Sequence, residues 1–188
     1  MVNQPKPVVA IFGGSFDPPH KGHQQIVDTA IKNLDIDKLL VVPAYLNPFK
    51  TSSLASASKR LEWCRTLFSH TPKVIVEDYE IVQGQSTTTS QTVKHFNMTY
   101  TVKYLIVGAD NLSTLSKWHA FEALNAQVTW VIVTREGYDL VVDGLREWTL
   151  LTLNTAISST KIREEKDVSH VDMKIEKSVK KTLKETSK

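Results

Sequence analysis

The 188-residue sequence predicts an α/β protein, a doubly wound parallel sheet with helices on both faces and a further helix at the C-terminal end. Three observations predict it. Short β-branched runs alternate with longer stretches of helical periodicity, the pattern of a sheet joined by crossover helices. Each run is apolar almost throughout, as strands covered on both faces must be. With 41% hydrophobic and 23% charged residues, the composition is that of an ordinary globular protein. The length suits one domain, residues 1–188, able to bury a core without disulfides.

Strands are expected at Val8–Phe12, Leu39–Val42, Val74–Val76, Tyr104–Val107 and Val128–Val133, with a less regular sixth run around Thr149–Leu153. The first helix is expected over Gln24–Asn33, where Ile26, Val27, Ala30, Ile31 and Leu34 recur at helical spacing. Ser58–Phe68 repeats the pattern with Leu61, Cys64, Leu67 and Phe68. Gln91–Phe96 follows a Ser/Thr cluster able to supply an N-cap, and Trp118–Leu124 follows the loop after the fourth strand. The stretch 172–188 reads as an amphipathic helix with Ile175, Val179 and Leu183 on one stripe. Right-handed crossovers between such strands give a Rossmann-like sheet, whose ligands lie at strand carboxyl ends near the reversal of strand order.

The net charge of +3 is a poor pointer to a partner, because its location explains it. Six lysines and two glutamates lie between Lys174 and Lys188, so the rest of the chain carries one net negative charge. The basic residues read as the solvated face of the terminal helix. Aromatic residues are not interleaved with a basic stripe, which argues against nucleic acid as a partner. No apolar run approaches the roughly 20 residues of a membrane span, and none reads as a signal peptide. The single cysteine, Cys64, excludes an internal disulfide and suits a reducing compartment. These features predict a soluble, cytoplasmic protein.

The chemistry concentrates after the first strand, in Gly13-Gly14-Ser15-Phe16-Asp17-Pro18-Pro19-His20-Lys21-Gly22-His23. The glycine and lysine spacings fit neither a dinucleotide fingerprint nor a Walker loop. The physics is related: glycines let backbone approach a ligand, and a helix N-terminus offers N–H groups to an anion. His20 and His23 stand three apart with Gly22 between them, so both imidazoles can face one phosphate. A second segment, Ile157-Ser158-Ser159-Thr160-Lys161-Ile162-Arg163, opens another helix. Alone it reads equally as a helix cap with a surface arginine, or as an amide and guanidinium site for phosphate.

Together the two segments resemble the signatures of the His-x-Gly-His nucleotidyltransferase superfamily, and the resemblance spans about Val8 to Arg163. It implies in-line attack of a substrate phosphate on the α-phosphorus of ATP, with pyrophosphate leaving and no covalent enzyme intermediate. His20, His23 and Arg163 are the implied catalytic residues. Gly13, Gly14, Ser15, Phe16, Gly22, Gly108, Asp110, Ile157, Ser158, Ser159 and Thr160 are the implied ATP-binding positions. Mg²⁺ is expected as the cofactor carried by the ATP phosphates, since no carboxylate cluster suggests a protein cage for a metal.

Three further segments bear on the acceptor. Lys50, in Asn47-Pro48-Phe49-Lys50, is placed to meet the acceptor phosphate or is simply a solvated loop lysine. Asp110, in Gly108-Ala109-Asp110-Asn111-Leu112, could accept from a ribose, although the residues alone favour a helix cap. Trp118 by its spacing reads as core. Taken together the segments resemble the nicotinate-nucleotide adenylyltransferase family more than its pantetheine relatives, which carry Thr where His20 stands and are shorter. That resemblance implies acceptor contacts from Lys50, Thr89, Trp118 and His119, and a reaction of ATP with nicotinate mononucleotide in NAD biosynthesis. Other acceptors (nicotinamide mononucleotide or phosphopantetheine) and a non-catalytic nucleotide-binding regulator are the alternatives. One departure stands out: where the family often has Pro-Ser-Tyr-Thr, this chain has Ser86-Thr87-Thr88-Thr89, which removes an aromatic ring. His119 is a second, at a position where aromatic residues are common.

Overall fold

The computed structural model describes residues 4–46, 52–134, 138–153 and 157–186. Six strands form a single parallel sheet in the order β3-β2-β1-β4-β5-β6. They are β1 (Val8–Gly14), β2 (Lys38–Pro43), β3 (Val74–Val76), β4 (Thr101–Gly108), β5 (Thr129–Val133) and β6 (Trp148–Leu151). The order reverses at β1, which pairs with β2 on one side and β4 on the other. This is the expected doubly wound, Rossmann-like sheet, with the switch point between β1 and β4.

The helices are α1 (Lys21–Asn33), α2 (Ala57–Phe68), α3 (Tyr79–Val82), α4 (Thr89–Phe96), α5 (Leu112–Leu115), α6 (Phe121–Gln127), α7 (Ser159–Glu165) and α8 (Met173–Glu185). Alternate residues of each strand feed opposite faces. Val9, Ile11, Leu40, Val42, Leu105 and Trp130 enter a core with α4 and α5. Ala10, Phe12, Leu39, Val41 and Val131 enter a second core with α1 and α2. Burial on both faces is why these strands read as unbroken apolar runs.

A third core lies outside the sheet. Trp63 of α2, Ile162 of α7, and Ile175, Val179 and Leu183 of α8 close around Ala55, Val168 and Val171. The terminal helix therefore exposes its lysines and buries its stripe, as the sequence pattern predicts. Among the described residues no helix is long and apolar enough to cross a membrane.

The expected Trp118–Leu124 helix needs correcting. The chain breaks at Ala120, whose φ of 55° is left-handed, and α6 begins only at Phe121. Trp118 thus sits in a turn between α5 and α6. The Gln91–Phe96 helix starts two residues earlier than expected, because Thr88 caps it and Gln91 reaches back in a capping box.

Candidate active site at the switch point

The turn after β1 is built by packing. Phe16 is 1% exposed and holds a left-handed backbone, φ 48°. Its ring meets Phe12 edge-on at 5.3 Å and His23 at 4.9 Å, so the turn is anchored by aromatic contacts. His20 is the N-cap of α1 and His23 lies one turn in, with ring centroids 3.8 Å apart. The His20 amide donates to Nδ1 of His23 at 3.1 Å. An accepting Nδ1 carries no proton, so the neutral His23 ring holds its proton on Nε2 as a donor. Gly22 is required between the two: a Cβ there would lie 3.0 Å from the His20 ring.

Of the amides at the α1 N-terminus, one is already engaged from outside the helix. The Lys21 amide is already bonded to the His170 carbonyl at 2.9 Å. Lys21 Nζ donates to the Ser169 carbonyl and the Gln24 amide group to Asp172. The segment before α8 is therefore tied to the start of α1.

The two distant motifs meet. Ser158 caps α7 by accepting the Lys161 amide. Ser159 Oγ donates to the Pro18 carbonyl at 2.9 Å, and Arg163 donates to the Asp17 carbonyl at 2.6 Å. A second Arg163 nitrogen donates to Thr160 Oγ1 at 3.1 Å. A shallow open cleft lies beside them, lined by His20, Gly22, Ile26, Val133, Thr134, Leu153 and Ile157. Gly13, Gly14, Ser15 and Gly108 stand at the carboxyl ends of β1 and β4, on the rim of the switch point.

Asp110 does not cap a helix, contrary to the reading favoured by its residues alone. It lies inside the 3₁₀ turn Ala109–Asn111, and Asn111 occupies the N-cap position of α5. Trp118 is partly buried, at 6.2 Å from Trp130, and its Nε1 is enclosed with no hydrogen-bond partner among the described residues. Next to it, His119 Nδ1 lies 3.0 Å from Ser90 Oγ of α4. The first turn of α4, with Thr89, is thereby set against the Trp118–His119 turn. Lys50 lies outside the described residues. Among those described, no group of three or more His, Cys, Asp and Glu side chains is arranged to hold a metal ion.

Sequence reasoning missed two buried charges. Arg60, 1% exposed, donates to the carbonyls of Ser15, Ala44, Tyr45 and Ala55, joining the turns after β1 and β2. Burial pulls its guanidinium below the ordinary value, and the Asp17 carboxylate works against that pull. Asp17 itself accepts the Leu54 and Ala55 amides. Among the described residues Arg60 donates only to backbone carbonyls, and no residue type in the sequence signals that.

The other is Glu80 of α3, 8% exposed, whose Oε1 accepts the Thr92 hydroxyl at 2.6 Å. Burial pushes its carboxyl up to about 7, and the Thr92 hydroxyl works in the opposite sense. The native state thus holds this proton more tightly than the unfolded chain. Stability contributed by the protonated group is fully present below the unfolded carboxylate range and falls as pH rises toward 7. Glu80→Gln removes that dependence, so its thermal midpoint relative to the wild type should be higher at pH 8 than at pH 4. Parallel melting curves at the two pH values check this, and an unchanged difference would show no linkage at Glu80.

Comparison with known proteins follows the same lines. The cytidylyltransferase-like family pattern matches residues 11–165. A probable nicotinate-nucleotide adenylyltransferase of a Sulfurovum species is 64% identical over 98% of both chains. Another from a Nitratiruptor species is 46% identical over 82% of this chain and 86% of its own. The Plasmodium falciparum nicotinic acid mononucleotide adenylyltransferase, solved with NaAD, shares the fold with a TM-score of 0.73 at 21% identity, covering 96% of each chain. With both histidines and the Ser-Thr-Arg helix gathered at one switch point, and relatives this similar over nearly its whole length, the chain belongs to the nicotinate-nucleotide adenylyltransferases of the cytidylyltransferase-like family.

Proposed function

We propose that this protein transfers the adenylyl group of ATP to nicotinate mononucleotide, releasing pyrophosphate and forming nicotinate adenine dinucleotide in NAD biosynthesis. The observation that carries the reading is the junction of the two motifs, where Ser159 and Arg163 bond to the carbonyls of Pro18 and Asp17. On this reading the imidazoles of α1 and the guanidinium of α7 face one small volume.

In that volume an acceptor phosphate oxygen forms a bond to the α-phosphorus of ATP. The bond from that phosphorus to the bridging oxygen breaks, and pyrophosphate leaves with the electron pair. The protein's task is placement and charge stabilisation. His23 donates from Nε2 to a non-bridging α-phosphate oxygen, where negative charge develops. His20 lies against it on the phosphate side. Two of the five Arg163 donors are engaged by Asp17 and Thr160, leaving the others for the β- and γ-phosphates together with the Ser159 and Thr160 amides. ATP enters as its Mg²⁺ complex. Imidazoles and amides are donors suited to phosphate oxygens, and the ion is held by the phosphates themselves.

Gly13 and Gly14 leave room for nucleotide backbone to approach, while Ser15 and Phe16 shape the turn. Gly108 and Asp110 face the ribose side. Gly22 keeps the imidazoles in register, Ile157 borders the cleft and Ser158 caps α7 beside it. Thr89, Trp118, His119 and Lys50 serve the acceptor. We read residues 1–188 as one nucleotidyltransferase domain working in the cytoplasm, where ATP and mononucleotides are available, with no role for nucleic acid or membrane.

The test is pyrophosphate release from MgATP with nicotinate mononucleotide, nicotinamide mononucleotide and phosphopantetheine in turn. Turnover is expected with the first at a kcat/KM at least ten times that of either alternative. Preference for another acceptor would overturn the specificity, and none with any acceptor would favour a binding-only protein.

A further inference from the structure

We propose that Glu80 is a positioning residue for the acceptor side of this reaction, holding the first turn of α4, through Thr92, against the Trp118–His119 turn. The inference rests on the reading above that Thr89, Trp118 and His119 serve the acceptor, and it adds a residue from a separate element buried beneath them.

The geometry is a chain of contacts with one fixed end. Glu80 lies on α3, a single turn of helix that follows β3 and precedes α4 in the chain. Its Oε1 accepts the Thr92 hydroxyl at 2.6 Å, both residues being buried. Thr92 sits one turn after Thr88 and its amide bonds to the Thr88 carbonyl at 3.1 Å. Fixing the Thr92 side chain therefore fixes the rotation of the α4 first turn about its axis. That rotation sets where the exposed half of the turn points. Thr88 Oγ1 lies 3.0 Å from Ser90 Oγ, which lies 3.0 Å from His119 Nδ1. Trp118 is the next residue.

Thr88 offers a short hydroxyl that caps the helix and cannot stack on a ring, and the Glu80–Thr92 pair braces the same turn from its buried side. A buried carboxyl without its hydroxyl partner would be left unsatisfied, which makes the pairing obligatory. Gln keeps an acceptor oxygen at the same place, whereas Met keeps only the shape.

The experiment compares initial rates for wild type, Glu80→Met, Thr92→Val and Glu80→Gln, varying MgATP and nicotinate mononucleotide separately. Glu80→Met and Thr92→Val should each raise KM for nicotinate mononucleotide about tenfold while KM for MgATP stays within twofold. Glu80→Gln should restore the acceptor KM to within threefold of wild type. Thr92→Val is nearly isosteric and keeps the measurement possible if Glu80→Met fails to fold. Equal changes in both KM values, a fall in kcat alone, or no rescue by Gln would assign the pair to stability only and overturn the proposal. Wild-type protein is the control that separates the two ideas. If it fails to use nicotinate mononucleotide, the functional reading falls and this inference with it; if it turns over normally, only the role of Glu80 is at issue.

Discussion

His23→Ala is expected to lower kcat by about two to three orders of magnitude, the usual cost of deleting one donor to a charge that develops in the transition state. The side chain is held for that role on three sides. Phe16 and Phe12 pack against the ring, His20 lies tilted beside it, and the His20 amide fixes the protonated nitrogen as Nε2. The substitution also strands the His20 amide, at about 1–2 kcal/mol of stability. Asn at position 23 can still accept that amide, so His23→Asn should recover most of the thermal midpoint and little of the rate. KM for MgATP should change only a few-fold in both variants. A kcat within fivefold of wild type in a folded His23→Ala protein would remove the proposed role.

The second large effect is on stability. Trp63 is 1% exposed at the centre of the third core, and its Nε1 donates to Ser178 Oγ of α8 at 2.9 Å. Trp63→Ala empties that centre, and about 3–5 kcal/mol should be lost, a large share of what a protein of this size possesses. The loss has a functional shadow, because Ile162 of α7 is seated in the same core. Loosening α7 frees Ser159 and Arg163 from the Pro18 and Asp17 carbonyls. Urea denaturation should show the lost stability, and KM for MgATP should rise at temperatures where the variant is still folded. An unchanged KM beside the expected destabilisation would mean that α7 is seated by its own contacts.

Much of this was legible in the sequence for identifiable reasons. Doubly covered strands announce themselves as apolar runs, so five of six were placed within a few residues, and β6 was the least regular because Trp148 and Leu150 face solvent at the sheet edge. Both motifs were legible because glycine, histidine and capping residues have few reasons to recur in that order. Their mutual contact was not, since Arg163 and Ser159 bind carbonyls, which every residue possesses. The same reason hid Arg60. Glu80 was invisible because its partner lies on another helix, and nothing in a one-dimensional pattern says which carboxylate will be buried. The helix expected at Trp118 failed on a single left-handed residue, Ala120, a conformation its side chain does not advertise.

The tie between Lys21 and the Ser169–His170 carbonyls has a consequence for how the protein comes into being. During synthesis β1 and the first histidines emerge early, yet Ser169 and His170, which brace them, follow much later in the chain. Central β1 must also wait for β4 before both of its edges are paired. A nascent chain can thus display the glycine–histidine turn before the contacts that brace it exist. The Ser169–His170 segment acts as a closing latch, which seats the start of α1 only once that segment has been made.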